Sequence, residues 1–410
     1  MKKTLIKKYA KLIAIQGIGL RKGQQVVVRA PVFASDFVEL LVEQLYKSGA
    51  SRVSVDWNDG NLLKTKLKYE NKKTLQELPN WVVEKVKYGC ENKVATISIS
   101  SSDPDGLKGI DFKKMQIMQM SMLPLKKYNE PYMASQIQWC VAAIPNPKWA
   151  KKVFPNLKTN QAVEALWKAI LDANRVYEDN DPIEAWKEHS NKIHARAKIL
   201  NDYQFKTLKY KSSNGTNLEI GLVDNHIWAG GSEGNVGDLP EFNPNMPTEE
   251  IFTMPHKYKV NGIVYSTKPL SYQGVLIEDF YLVFKDGKVI EAKAKKGQEA
   301  LDAMLNTDAT SRYIGEVALV EYHSPISQSN IIFYNTLFDE NASCHLALGA
   351  AYTMNVEGGT TASKEKLEEI GCNDSMIHVD FMVGSKDLSI IGITKDGKEV
   401  TIFKDGDFAL

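Results

Sequence analysis

The chain has 410 residues with 51 basic and 50 acidic side chains, and its formal net charge is +1. This length exceeds one ordinary hydrophobic core and predicts two domains. The balanced charge argues against nucleic acid or an anionic membrane as a partner, and no run of about eighteen apolar residues is present to span a bilayer. Its 4 cysteines show no paired spacing, which favours a reducing, cytoplasmic setting over a disulfide framework.

The first half of the chain alternates strand patterns with helix patterns. Lysines interrupt the apolar positions of residues 1–20, which predicts an amphipathic helix rather than a signal peptide. Strand patterns occur at residues 24–29, 52–57, 94–99 and 136–144, and a helix pattern at 35–48 separates the first two. Strand, helix and strand in close succession form a βαβ unit, which implies a parallel sheet. Because helix patterns continue to its end, we expect residues 1–200 to form an α/β domain with a mostly parallel sheet.

The second half is rich in strand patterns. Residues 205–222 predict a β-hairpin whose turn is Asn214-Gly215, and one helix is expected at 298–305. Residues 229–247 are rich in Gly, Asn and Pro without a helix or strand pattern, which suggests a functional loop. We expect residues 201–410 to form an α+β catalytic domain with a mixed or antiparallel sheet.

Charged residues interrupt the apolar segments of this second domain. In the strand pattern MIHVDFMV, His378 and Asp380 share one face, opposite an apolar face. Such a pair is more often hydrogen-bonded than metal-binding, but Glu316 interrupts the apolar run YIGEVALV, and Glu340 and His345 lie close together in DENASCH. Because buried carboxylates are costly unless they are paired or bind a metal, the pattern predicts a shared cation site. The excess of carboxylates over imidazoles favours two divalent ions over one structural zinc.

Several of these segments resemble the thermophilic-type dinuclear metallo-aminopeptidases, the AmpS, AmpT and PepS group. The matching motifs are PTEEIFT, GEVALV, SPISQSNIIFYNTLFDENASCHLALG and IHVDFMVGS. The resemblance covers residues 205–410 and extends more loosely into the first half, chiefly in residues 21–57. It implies six metal ligands, which are Glu250, Glu316, Glu340, His345, His378 and Asp380.

The resemblance also implies roles that the residues alone do not settle. It selects Glu250 over Glu249. Which ligand binds which ion stays open, and Glu316 is our choice for the carboxylate that bridges the two ions. It places Tyr352 at the active centre to hydrogen-bond the tetrahedral intermediate, where the local pattern alone indicates a core residue. His323 is a further candidate for substrate binding, with a structural role as the alternative, whereas His189 and His194 are interpreted as surface or packing residues.

The implied chemistry is hydrolysis of peptide bonds by two divalent ions per chain. Zinc or cobalt is expected, with magnesium or manganese as alternatives. The two ions would share one hydroxide, lower its pKa and stabilise the oxyanion that forms when it attacks the scissile carbonyl. The resemblance implies an aminopeptidase of broad specificity that acts on short peptides as a homodimer. No nucleic-acid or membrane partner is expected. Two alternatives stay open, another dinuclear amide hydrolase or carboxypeptidase, and a non-enzymatic peptide-binding protein on the same scaffold.

Overall fold

The computed structural model describes residues 1–101, 103–106, 109–234, 239–272 and 274–410. The chain forms two compact units, residues 1–188 with 232–247 and residues 189–231 with 248–410. The sequence predicts domains at residues 1–200 and 201–410, and these boundaries remain a prediction. No helix in the described ranges is long and apolar enough to cross a membrane.

The helices are named here in chain order. They are α1 (Lys3–Leu12), α2 (Ser35–Lys47), α3 (Gly60–Tyr69), α4 (Lys72–Gln76), α5 (Asn80–Glu91), α6 (Phe112–Ser121), α7 (Lys126–Met133), α8 (Pro147–Val153), α9 (Thr159–Ala173), α10 (Pro182–Tyr203), α11 (Gln298–Leu305), α12 (Pro325–Ser329), α13 (Thr336–Asp339) and α14 (Lys364–Glu369).

The strands are named in the same way. They are β1 (Gln25–Pro31), β2 (Arg52–Asn58), β3 (Ala95–Ser100), β4 (Trp139–Ala143), β5 (Thr207–Lys211), β6 (Asn217–Leu222), β7 (Asn245–Met246), β8 (Ile251–Thr253), β9 (Pro255–Tyr265), β10 (Leu270–Tyr272), β11 (Val275–Lys285), β12 (Lys288–Lys296), β13 (Ile314–Leu319), β14 (His345–Gly349), β15 (His378–Met382), β16 (Ser389–Ile393), β17 (Glu399–Lys404) and β18 (Asp407–Phe408).

The first unit is built around a parallel sheet. In the described part of this unit the sheet has the strand order β2-β1-β3-β4-β7, and each neighbouring pair runs parallel. The prediction of an α/β domain is therefore confirmed. The amphipathic first helix is also present as α1, which buries Tyr9 and Leu12 completely.

The segment at residues 229–247 differs in part from its prediction. Its last residues form β7, which pairs with β4 through Val141 and Ala142. The expectation of a segment without strands was wrong there, because two residues are too few to leave an alternation in the sequence. Residues 235–238 of the same segment lie outside the described residues.

The second unit contains two antiparallel sheets. Over its described residues, one sheet has the order β10-β11-β9-β6-β5-β16-β17-β18 with β12 beside β11, and the other has the order β15-β14-β13-β8. Asp286-Gly287 and Asp405-Gly406 connect paired strands with positive φ at both residues, as two-residue hairpins with the right-handed strand twist require. The antiparallel sheets and the interspersed helices confirm the predicted α+β class.

Candidate metal centre

The smaller sheet of the second unit has an apolar face and a polar face. The two leucines of β14 pack into the hydrophobic core, so alternation places His345 and Ala347 on the opposite face. Ala347 pairs with Glu316 on β13 and with Asp380 on β15. Residues paired across strands share a face, and two carboxylates therefore flank the short side chain of Ala347. A small residue in the middle strand leaves room above the sheet between them.

His345 forms the first group of ligand-type atoms. Its Nε2 atom lies 3.1 Å from Glu250 Oε2 and 3.4 Å from Glu316 Oε1. Its Nδ1 atom lies 3.2 Å from the carbonyl oxygen of Ser343. Because a carbonyl only accepts hydrogen bonds, Nδ1 carries the proton, and in a neutral imidazole Nε2 then presents its lone pair to the carboxylates.

His378 forms a second group of ligand-type atoms with the same arrangement. Its Nε2 atom lies 3.6 Å from Glu316 Oε2 and 3.3 Å from Asp380 Oδ1, and its Nδ1 atom lies 2.7 Å from the carbonyl oxygen of Ala350. Asp380 Oδ1 is buried and, despite this proximity, receives no hydrogen bond within the described chain. A buried carboxylate oxygen without a donor needs another positive partner.

Glu316 belongs to both groups. The ligand-type atoms of Glu250, Glu316 and His345 all lie within 4.8 Å of one another, and so do those of Glu316, His378 and Asp380. One oxygen of Glu316 faces His345 and the other faces His378. This carboxylate therefore joins two adjacent groups, each of which contains an imidazole.

Glu340 belongs to neither of these two groups, but it lies near enough to be affected by their charges, in the 3-10 turn Glu340–Ala342 shortly before β14. Burial, followed by the charges of Glu250 and Asp380, raises its pKa well above the usual range. Burial is also the main cause that raises the pKa of Glu316. Removing these carboxylates from water, near one another, disfavours their ionised forms unless cations are present.

The same cluster also raises the pKa of its two histidines, which favours their charged forms. Burial acts to lower the pKa of both histidines, but the neighbouring carboxylates outweigh this effect because they stabilise the protonated imidazoles. Glu250 and Glu316 hold the pKa of His345 well above its usual value, and Asp380 and Glu316 raise the pKa of His378 to about 9. Burial acts to raise the pKa of Asp380, and the two imidazoles more than offset this and lower it. Without a metal, protons on the histidines partly balance the acidic cluster.

Tyr352 lies beside this cluster. The centroid of its ring is 4.7 Å from that of His378 and 6.0 Å from that of Phe252. Burial, followed by the charges of Glu316 and Asp380, raises the pKa of its phenol above the usual range, although 37% of the residue surface is exposed. Tyr352 thus lies next to the proposed ligand His378, and its role at the active centre stays a prediction.

The histidines outside the six candidate ligands have other contacts. His323 is largely exposed and pairs through Nδ1 with Asp407 on β18. His189 is half-buried, with Nε2 at 2.7 Å from the carbonyl oxygen of Thr248 and 3.6 Å from Glu249 Oε2. This contact places His189 next to the segment that leads to Glu250.

Asn341 was not predicted from the sequence. It is completely buried, and its Oδ1 atom accepts a hydrogen bond from the backbone N–H of Glu249 at 2.7 Å, while Nδ2 donates to the carbonyl oxygen of Leu337 at 3.1 Å. It thus joins the chain next to Glu250 to the turn that carries Glu340. An asparagine in such a segment resembles an ordinary turn residue, so the sequence contains no signal for this role.

Comparison with known proteins agrees with the geometry. The family model for thermophilic metalloproteases (M29) matches residues 2–408. Aminopeptidase AmpS of Bacillus subtilis (strain 168) is 45% identical over 98% of this chain and 97% of its own length. Aminopeptidase 2 of Geobacillus stearothermophilus is 43% identical over 98% of this chain and 97% of its own length. The solved structure of wild-type AmpT from Thermus thermophilus has a TM-score of 0.91 at 36% identity, with 100% of both chains covered.

These matches span nearly the whole chain and confirm the resemblance noted in the sequence motifs. The chain therefore belongs to the thermophilic metalloprotease (M29) family, a family of metallo-aminopeptidases, and it is a peptidase.

Proposed function

We propose that the protein is an aminopeptidase of broad specificity that uses two divalent metal ions per chain. One observation carries this proposal, which is that Glu316 is shared by the two groups of ligand-type atoms. Each of its oxygens faces a different imidazole, as a bridging carboxylate would require. The proposed ligands are Glu250, Glu316, Glu340, His345, His378 and Asp380.

The donor set fits two divalent ions. Glu250, Glu316, Glu340 and Asp380 supply four negative charges when ionised, which equal the four positive charges of two such ions. The buried Asp380 Oδ1 atom, which receives no hydrogen bond from the described residues, is a natural ligand atom. A mixture of imidazole and carboxylate favours zinc or cobalt, and magnesium and manganese are the alternatives.

The residues of the chain prepare the site for hydrolysis. Two bound ions would supply Lewis acidity, a water of lowered pKa and a coordination position for a free amine. The carbonyl groups of Ser343 and Ala350 hold the imidazoles with Nε2 directed at the carboxylates. The phenol of Tyr352, whose pKa lies above its usual value, is protonated near neutral pH and could donate a hydrogen bond to the oxyanion of the tetrahedral intermediate.

Selectivity for the amino end of a peptide follows from the same chemistry. A free α-amine can bind as a metal ligand or, when protonated, to a carboxylate, whereas an acetylated amine is neutral and a poor ligand. We further propose a homodimer that acts on short peptides in the cytoplasm. The cysteines at positions 90, 140, 344 and 372 are all free, which is consistent with a reducing compartment.

A comparison of blocked and free substrates tests this function. We expect hydrolysis of leucyl anilide and of a leucyl tripeptide, and loss of at least about 100-fold in kcat/KM when the amine is acetylated. Glu316→Gln is expected to lose both metal and activity, whereas Glu299→Gln, an exposed change on α11, is the matched control. Equal cleavage of the acetylated peptides would instead support a carboxypeptidase or a general amide hydrolase.

A further inference from the structure

A cavity of about 270 Å³ lies beside the candidate metal centre. Three of the proposed ligands line it, namely Glu340, His378 and Asp380. A sphere of this volume is about 8 Å across, and an extended dipeptide spans about 7 Å at the usual rise per residue. The cavity therefore has the size of a small peptide fragment that begins at the metal centre.

The walls of this cavity combine apolar surface with one basic side chain. Leu270, Tyr272 and Phe381 provide apolar surface. Among the described lining residues, Lys268 is the one lysine or arginine. Pockets of this composition use a few charged or polar groups to select and orient the ligand.

Among the described residues, the ammonium of Lys268 has no close counter-ion. Burial removes part of its hydration and lowers its pKa, and the charge of Asp339 acts in the opposite direction. No carboxylate lies within 4 Å of Lys268 Nζ in the part of the chain that the structure describes. A half-buried ammonium without an ion pair is unfavourable, and an anion bound in the cavity would relieve this cost.

The carboxylates that border the cavity are already engaged. Asp339 accepts hydrogen bonds from the backbone N–H groups of Phe333 at 2.7 Å and Asn335 at 3.0 Å, one on each oxygen. Glu340 and Asp380 are ligands under the proposed function. Lys268 is therefore left as the group that can attract an external anion.

We propose that this cavity is a substrate subsite in which Lys268 binds a carboxylate of the peptide. The carboxylate is either the C-terminal group of a dipeptide or the side chain of an acidic residue. This inference rests on the proposed function, because the metal centre must hold the amino end of the same substrate. It predicts a preference for dipeptides or for acidic residues within the broad specificity of the enzyme.

The test compares two substrate pairs that differ only in the carboxylate. The first pair is Leu-Ala and its C-terminal amide, and the second is glutamyl anilide and glutaminyl anilide. For at least one pair, Lys268→Met is expected to lower kcat/KM of the carboxylate substrate by about 10- to 100-fold, mainly through KM, because a charged hydrogen bond is lost. The neutral partner is expected to change less than about twofold, which also shows that the variant is folded and loaded with metal.

Two further variants separate charge from position. Lys268→Arg keeps the positive charge and is expected to retain the preference. Lys293→Met removes an exposed lysine of the same unit and is expected to match the wild type. An effect on the first pair identifies the terminal carboxylate as the ligand, and an effect on the second identifies the acidic side chain.

The subsite and the proposed function can fail separately. If the wild type cleaves the neutral substrates but Lys268→Met changes both members of each pair equally, or changes neither, the subsite is refuted while the aminopeptidase stands. If the metal-loaded wild type cleaves none of the four substrates, the proposed function fails, and the subsite fails with it.

Discussion

Asn341→Leu is the substitution that most directly probes how the fold positions the metal ligands. Leucine has the same number and branching of side-chain heavy atoms as asparagine, but it removes the hydrogen bonds to Glu249 N–H and to the Leu337 carbonyl. Each buried group left without a partner costs about 1–3 kcal/mol, so the free energy of unfolding should fall by about 2–6 kcal/mol. Because the lost bonds hold the segments that carry Glu250 and Glu340, zinc affinity should fall by about 10- to 100-fold, as for other groups that support ligands.

The two effects of Asn341→Leu are measured separately. Urea unfolding in the presence of a chelator gives the loss of stability, and calorimetric titration of the metal-free protein with zinc gives the affinity. Asn174→Leu is the matched control, because Asn174 is also completely buried and donates to the Ile170 carbonyl at 2.8 Å, but lies in the first unit. The control is expected to lose stability and to keep its affinity for zinc. If Asn341→Leu also keeps wild-type affinity, the positioning role of Asn341 is refuted.

Three further predictions concern the ligands and the loop before β15. His378→Ala and Asp380→Ala should each lose activity and bound metal, while circular dichroism shows that the protein is still folded. An Asp380→Ala enzyme that is active and holds its full metal content would refute the ligand assignment. Because the pKa of His378 without metal is about 9, zinc binding at pH 7 should release protons, and the affinity for zinc should rise with pH. Calorimetric titrations in buffers of different ionisation enthalpy measure the number of protons released. Zinc binding without proton release would contradict the prediction. Asp308 accepts hydrogen bonds from the Ser375 hydroxyl and the Met376 backbone N–H, both at 2.7 Å, in the loop before β15. Burial acts to raise the pKa of Asp308, but these donors and those of Thr310 outweigh it and lower the pKa below its usual value. The stabilisation by ionised Asp308 is therefore complete above about pH 4 and lost as pH falls further. In urea unfolding, the free energies of unfolding of wild type and Asp308→Asn should become equal in acid. A difference that stays constant with pH would contradict the lowered pKa of Asp308.

Local patterns in the sequence were sufficient to predict features that depend only on residues close together in the chain. The alternation in MIHVDFMV placed His378 and Asp380 together on one face of β15, because side chains alternate along any strand. The βαβ pattern near the start led to the parallel sheet for a similar reason, since hydrophobic periodicity distinguishes strands from helices.

Features that depend on long-range pairing could not be predicted in this way. The register that places Ala347 between Glu316 and Asp380 is set by strands distant in sequence. The contact of Asn341 with Glu249 joins segments 92 residues apart. Neither leaves a periodic pattern or a motif, and Lys268 likewise differs from other lysines only through the cavity that surrounds it.

The most direct test of the account is the metal content of the purified protein, measured together with hydrolysis of leucyl anilide before and after chelation. The shared carboxylate of Glu316 predicts about two divalent ions per chain, activity that disappears on chelation, and recovery with zinc or cobalt. Full activity after complete removal of metal, or full activity with a single ion per chain, would contradict the dinuclear mechanism.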